Sequence, residues 1–195
     1  MKRLCCALLL LVTTHMALAE DPEILIRTSH GDITLRLNPQ AAPKTVENFL
    51  QYVDSGFYAG TIFHRVISNF MIQGGGFTPL MQEKPTLDPV VNESKNRLHN
   101  TKGTIAMART SDPDSATSQF FINVRNNFRL DWTPGKIGYT VFGEVTDGMY
   151  VVDSIATEPT QNFMGFGDVP ITPVVIQDVV LLNPPSDTPE AVTAE

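Results

Sequence analysis

Arg65 is the residue whose placement most strongly indicates chemistry. It lies in the middle of an otherwise apolar run at residues 62–67 of this 195-residue chain. A guanidinium stays charged in proteins, so its burial without a partner would be costly. On structural grounds alone, Arg65 therefore either faces solvent from a strand or forms a buried ion pair.

Amide and apolar side chains are combined in the same way on two other predicted strands. Gln119 and Phe121 are separated by one residue, as are Met71 and Gln73, and side chains at positions i and i+2 lie on one face of a strand. The pattern predicts an apolar pocket edged by hydrogen-bonding groups. Each pair alone is more typical of a core residue beside a solvent-facing one.

Residues suited to covalent or metal chemistry are few. His30, His64 and His99 are not at metal-ligand spacing from one another or from a carboxylate. We expect His30 and His99 to be solvated, and His64 to be a structural histidine with satisfied hydrogen bonds. The glycines at 74–76 precede no helix start, so a dinucleotide site is not predicted. We therefore expect neither a metal nor a cofactor.

The candidate residues must be positioned by a mainly β fold. A helix is predicted from Pro43 to Gly56, with proline in its first turn and glycine as its left-handed cap, and a second one at residues 148–156. The predicted strands span residues 23–28, 32–37, 62–67, 70–73, 104–108, 119–124, 141–145 and 171–182. Short strands with little βαβ alternation are typical of an antiparallel barrel or sandwich.

The first 19 residues have the organisation of a cleaved secretory signal. A basic start at residues 1–3 is followed by a mainly apolar run at 4–16 and by a small-x-small pattern at 17–19. The apolar run is shorter than the ~20 residues that a membrane-spanning helix needs. We expect export to the periplasm, or alternatively to the extracellular space or the ER lumen, and no membrane association after cleavage.

Removal of this signal changes the composition in ways that exclude several classes of protein. Both cysteines, Cys5 and Cys6, lie in it, so the mature chain has no thiol for a disulfide, a nucleophile or a metal ligand. The net charge moves from −7 to −9, because two basic residues and no acidic one are removed. Nucleic acid requires a basic surface, so we expect no nucleic-acid partner.

The mature chain is predicted to form one domain at residues 20–182, since a chain of this length can bury a sufficient core. Residues 78–102 form a long connection without a clear element, which in a compact domain is usually functional or disordered. Residues 183–195 are rich in proline and acidic residues and contain no basic one. We expect a disordered tail there.

Three blocks of the sequence together resemble the cyclophilin family of peptidyl-prolyl cis–trans isomerases. They are residues 63–77 (FHRVISNFMIQGGGF), 103–109 (GTIAMAR) and 118–123 (SQFFIN), and the similarity extends in order from about Glu23 to Leu182. Glycine at position 76 makes the sequence resemble the bacterial periplasmic branch of this family. The resemblance implies a closed eight-stranded antiparallel β-barrel capped by two α-helices, with the active groove on its outer wall. It also implies a monomer that isomerises X-Pro bonds in proline-containing polypeptides during the folding of exported proteins.

The resemblance assigns roles by position. Arg65 is the catalytic arginine, and the catalytic group as a whole is Arg65, Phe70, Gln73 and Phe121. The residues that bind the substrate are Met71, Ala108, Arg109, Gln119, Phe128, Leu130 and Tyr139. Phe70, Met71, Phe121 and Leu130 form the proline pocket in this assignment.

Arg129 is the one departure from the family's pattern. The family has tryptophan or phenylalanine directly before Leu-Asp, whereas Arg129 precedes Leu130 here. We expect Phe128 or Trp132 to fill the space instead. Because that aromatic residue is associated with cyclosporin binding, the sequence leaves cyclosporin binding open.

Two other classes of function stay open at this point. A non-catalytic chaperone, or holdase, would bind prolyl peptides in the same groove, although the intact Arg65 argues against it. A secreted lipid- or sugar-binding barrel would need an open interior, whereas Phe120, Ile122 and Phe142 are typical of core filling.

Overall fold

The computed structural model describes residues 20–184. The predicted signal at residues 1–19 lies outside the described residues, as does the tail from residue 185 onward. Asn183, where the predicted tail begins, is described: its side-chain oxygen accepts a hydrogen bond of 2.7 Å from the backbone N–H of Glu23. Neither helix in the described part of the chain is long and apolar enough to cross a membrane.

The described residues form eleven strands and two α-helices. The strands are β1 (Glu23–Thr28), β2 (Gly31–Leu37), β3 (Thr61–Ile62), β4 (Arg65–Ile67), β5 (Met71–Gly74), β6 (Thr104–Met107), β7 (Phe120–Asn123), β8 (Val141–Asp147), β9 (Thr160–Phe163), β10 (Phe166–Pro170) and β11 (Val175–Leu181). The helices are α1 (Pro43–Asp54) and α2 (Met149–Ile155). The mainly β composition with two helices is therefore confirmed.

Helix α1 has the boundaries that its sequence predicts. Pro43 lies in the first turn, where its missing N–H would have no partner in any case. Gly56 follows the last turn with φ +65°, a conformation that glycine adopts without strain. Val46, Phe49 and Val53 recur at helical spacing and are buried. This face packs against the sheet, so tertiary burial as well as local propensity stabilises the helix.

Nine strands form one antiparallel sheet in the order β3-β11-β1-β2-β8-β6-β7-β5-β4. Its two edge strands, β3 and β4, follow each other directly in the chain and are separated by Phe63 and His64 alone. The backbone itself thus joins the two edges, and the sheet must curl. The expected closed eight-stranded barrel is an approximate description, because the single strand predicted at residues 62–67 is divided at Phe63 and His64.

The interior of the curled sheet is filled with side chains. Phe120, Ile122 and Phe142 are fully buried, and Phe49 of α1 packs on two of these rings, 5.8 Å from Phe120 and 5.3 Å from Phe142 between centroids. Fully buried aromatic residues dominate the energetics of a core. This packing argues against the lipid- or sugar-binding barrel, which needs space inside.

The hairpin of β9 and β10 was not predicted from the sequence. All four side chains of β9 are exposed, so the strand has no alternation of buried and exposed positions to reveal it. The hairpin is held to the rest of the protein by β10: the rings of Phe166 and Phe77 are 5.3 Å apart, and Val169 is buried with Ile62 and Met81. It therefore lies beside β4, the strand that carries Arg65.

Candidate active site

Strand register places Arg65, Gln73 and Phe121 side by side. Arg65 on β4 pairs with Gln73 on β5, and Gln73 pairs with Phe121 on β7. Side chains of directly paired residues lie on the same face of a sheet. Because Phe120 and Ile122 face the interior, this row lies on the outer face of the curled sheet.

The row borders a pocket of about 130 Å³. The residues that line it are Arg65, Phe70, Met71, Gln73, Ala108, Arg109, Phe121, Leu130 and Tyr139. Every one of them is among the site residues that the sequence predicts. Gln119 and Phe128 are the two predicted residues that do not line it.

The floor of the pocket is apolar. Met71 and Phe121 are buried there together with Ala106 and Val141. The rings of Phe121 and Tyr139 meet edge to face with their centroids 5.7 Å apart, an arrangement that aromatic pairs prefer. The pocket thus offers a small apolar surface with Arg65 at its wall, which suits a compact apolar ring beside a hydrogen-bond acceptor.

Gln119 supports the pocket from behind Gln73. The side-chain nitrogen of Gln73 donates a hydrogen bond of 3.0 Å to the side-chain oxygen of Gln119. Gln119 lies so close to Gly76 that a Cβ on the glycine would be 2.6 Å from its Cγ. Gly76 is therefore needed for Gln119 to occupy this position, a local reason for the third glycine of the 74–76 run.

Arg65 is both exposed to solvent and part of an ion pair, the two arrangements that its position in the sequence left open. Its side chain is 43% exposed, and its Nε lies 3.8 Å from Oδ2 of Asp168 on β10. The ion pair is a solvated one rather than a buried one. Since Asp168 faces Nε, the terminal Nη groups remain available to a ligand in the pocket.

His64, which directly precedes Arg65 and the start of β4, is buried. Its ring packs on Phe77 with centroids 4.7 Å apart. Burial and, to a smaller extent, the adjacent charge of Arg65 lower the pKa of His64 to about 4, so the ring is neutral near pH 7. The expectation of a fully hydrogen-bonded histidine is wrong, because Nδ1 has no partner among the described residues.

The other two histidines contact carboxylates. His99 is solvated as expected, with its side chain 65% exposed, whereas the side chain of His30 is 21% exposed. His30 Nε2 lies 3.0 Å from Glu158, and His99 Nδ1 lies 2.7 Å from Asp131. Burial alone would raise the pKa of Asp131, but hydrogen bonds from Asn100 and His99 outweigh it and lower this pKa. Asp131 thereby holds the turn that carries the pocket residue Leu130.

Arg109 lines the pocket, but its donors are already in use. Its guanidinium donates to the backbone oxygens of Thr110 at 2.9 Å and Ile137 at 3.0 Å, and it lies 4.5 Å from the centre of the Tyr139 ring. Arg109 therefore fixes the segment that presents Tyr139.

Arg129 itself occupies the space expected for Phe128 or Trp132. Its guanidinium carbon lies 4.8 Å over the ring of Phe70, whereas Phe128 is 57% exposed and Trp132 packs under Lys95. Since the short 3₁₀ turn of Phe128–Leu130 places consecutive side chains on different sides, Phe128 is directed outward. The expected replacement by a neighbouring aromatic residue is therefore wrong.

Comparison with known proteins decides what this pocket belongs to. The family profile described as cyclophilin type peptidyl-prolyl cis-trans isomerase/CLD matches residues 23–181. The chain belongs to the cyclophilin family. Its activity is therefore peptidyl-prolyl cis–trans isomerisation, and its substrates are proline-containing polypeptides.

Cyclophilins similar to this one come from several different organisms. A peptidyl-prolyl cis–trans isomerase of Streptomyces antibioticus is 59% identical over 161 residues, which cover 81% of this chain and 97% of that protein. Isomerase B of Escherichia coli is 50% identical, with 81% and 98% covered. A crystal structure of a Cryptosporidium parvum cyclophilin in the presence of the dipeptide Ala-Pro has a TM-score of 0.72 at 29% identity, covering 83% and 99% of the chains.

Proposed function

We propose that this isomerase accelerates the folding of exported proteins and that Arg65 is its catalytic residue. One observation carries the second part: Arg65, Gln73 and Phe121 lie in register on three neighbouring strands at the edge of a single apolar pocket. A cation, an amide and an aromatic ring thus converge where one prolyl residue fits.

The reaction requires no nucleophile. Resonance gives the peptide bond a rotation barrier of ~18–20 kcal/mol, and uncatalysed prolyl isomerisation takes ~10–100 s, slow enough to limit folding. In the twisted state the proline nitrogen regains its lone pair and becomes a hydrogen-bond acceptor. A catalyst that binds this state more tightly than the planar ones lowers the barrier.

Arg65 donates to the proline nitrogen in this proposal. Its side chain lines the pocket, its charge persists at physiological pH, and its half-exposed position allows a polypeptide to reach it. Phe121 and Met71 contact the prolyl ring, while Gln73, held by Gln119, donates to the backbone next to it. With the ring and one side of the chain held, rotation takes place on the acyl side of the bond.

Substitution of Arg65 tests this role. Arg65→Ala should reduce the catalysed rate about a hundredfold or more in a proline-limited refolding assay, as loss of a transition-state donor does elsewhere, and its melting temperature should stay close to wild type. Arg65→Lys keeps the charge but lacks the planar fork and should be impaired as well. Arg27→Ala, which removes an arginine on β1, is the control; near-wild-type activity of Arg65→Ala would exclude the proposed role.

Export is the first part of the proposal, and the organisation of residues 1–19 supports it. We place the working enzyme in the periplasm, with the extracellular space and the ER lumen as alternatives, as a monomeric domain of residues 20–182. Expression of the full chain, cell fractionation and N-terminal sequencing test this: the mature protein should begin at Glu20. Retention in the cytoplasm with residues 1–19 intact would overturn it.

Adding cyclosporin to the isomerase assay determines whether Arg129 permits inhibition.

A further inference from the structure

A second cavity, of about 340 Å³, adjoins the proline pocket and shares the Phe70 side chain with it. Arg125 and Arg129 line this cavity, together with Asn69, Asn126 and the exposed ring of Phe128. Asn127 also lines it, and its side-chain nitrogen donates a hydrogen bond of 2.8 Å to the backbone oxygen of Phe70. We refer to it as the arginine cavity.

The charges of the arginine cavity are unbalanced. No acidic residue lines it, and neither arginine forms an ion pair within residues 20–184. Two other cavities that contain cations also contain carboxylates, Glu144 beside Arg36 and Asp131 beside Lys95. In the proline pocket, which no carboxylate lines, Arg65 is paired with Asp168. In a protein of net charge −7, two uncompensated guanidinium groups in one cavity are a local exception.

The geometry prepares Arg129 to bind a carboxylate. Its guanidinium lies over the Phe70 ring at 4.8 Å, a cation–π contact that restricts the side chain while its N–H edges stay exposed. The ammonium group of Lys136 contacts the backbone oxygen of Arg129, which adds a third positive charge nearby. Planar guanidinium groups bind carboxylates through two parallel hydrogen bonds.

We infer that the arginine cavity is a subsite for an acidic side chain of the substrate, so that the enzyme prefers prolyl bonds with Asp or Glu nearby. The inference rests on the isomerase activity and not on export. Since both cavities share one aromatic ring and an extended chain advances ~3.3 Å per residue, the acidic residue lies within about three residues of the proline. The subsite selects among prolyl bonds and takes no part in rotation itself.

Matched peptides test the inference. Each pair carries Glu or Gln at one position, from one to about three residues on either side of a single proline, and the catalysed exchange rate is measured by NMR exchange spectroscopy, which needs no coupling protease. The wild type should favour Glu over Gln by about three- to tenfold at one position at low salt, and the preference should shrink in ~0.5 M NaCl, where exposed charge pairs are screened.

Two double variants separate a site from a general charge effect. Arg125→Gln with Arg129→Gln should abolish the preference for Glu while the Gln peptide is still isomerised. Arg27→Gln with Arg36→Gln removes the same charge from β1 and β2, outside both cavities, and should keep the preference.

Three results would overturn the subsite. The first is that the wild type isomerises the Glu and Gln peptides at equal rates at every position. The second is that the preference for Glu persists in the variant without Arg125 and Arg129. The third is that the control variant without Arg27 and Arg36 loses the preference to the same extent. Failure to isomerise the Gln peptides at all would contradict the isomerase activity itself, and with it the subsite.

Discussion

Oδ2 of Asp168 lies 3.8 Å from Nε of Arg65. The carboxylate reaches this position from β10, with Asp168 in the left-handed conformation at φ +60°, a region that aspartate tolerates better than most residues. The packing of Phe166 on Phe77 holds the strand in place. A hairpin with no residue in the pocket therefore orients the arginine that lines it.

Asp168 is predicted to be a positioning residue. Asp168→Asn should lower kcat about two- to fivefold with little change in KM, because an exposed ion pair contributes ~0.2–1 kcal/mol and substrate binding does not involve it. Steady-state kinetics of the catalysed exchange measure the two constants, and Asp168→Glu should restore part of kcat. Asp178→Asn, which removes the partner of Arg27, is the matched control. A loss confined to KM, or none, would contradict the prediction.

The pocket could be predicted from the sequence more completely than its surroundings. Period 2 places Gln73 with Met71 and Gln119 with Phe121, and the family blocks identify Arg65 among them. The position of Asp168 could not be predicted, since β9 is exposed on both faces and the ion pair joins residues far apart in the chain. The packing of Arg129 on Phe70 could not be predicted for a related reason. Which side chain packs there depends on the conformation of the turn at Phe128–Leu130 and on the position of the Phe70 ring.

Gly76 is predicted to control the groove through Gln119. In Gly76→Ala the new methyl group would lie 2.6 Å from Cγ of Gln119, so Gln119 must move and its hydrogen bond with Gln73 breaks. Catalytic efficiency should fall about tenfold or more, as misplacement of about 1 Å typically causes. Gly76→Ala combined with Gln119→Ala removes the clash and should show a smaller loss than the two single effects combined. Gly167→Ala, whose Cβ would meet its nearest neighbour at 3.5 Å, is the neutral control.

Phe121 is predicted to hold the prolyl ring. Phe121→Ala removes a side chain that is 4% exposed and its edge-to-face contact with Tyr139, so the Kd of a prolyl peptide should rise about tenfold or more. Calorimetric titration measures it. Because Phe→Ala at a buried site also costs ~3–5 kcal/mol of stability, Phe121→Leu serves as the milder variant and should show the same direction of change. An unchanged Kd in a folded variant would exclude the proposed pocket.

His64 is predicted to make the stability of the protein depend on pH. Burial lowers the pKa of His64 to about 4 from an ordinary 6.5, so between these values the unfolded chain binds a proton that the folded one excludes. The free energy of unfolding should therefore fall as pH drops from 6.5 towards 4, by about 3 kcal/mol in all. Urea unfolding at several pH values measures it. The contribution of Asp131, whose pKa is lowered from 3.8, is lost only below this range. His64→Gln should thus flatten the curve between pH 6.5 and 4 alone, and an unaltered slope in that variant would show that other groups cause it.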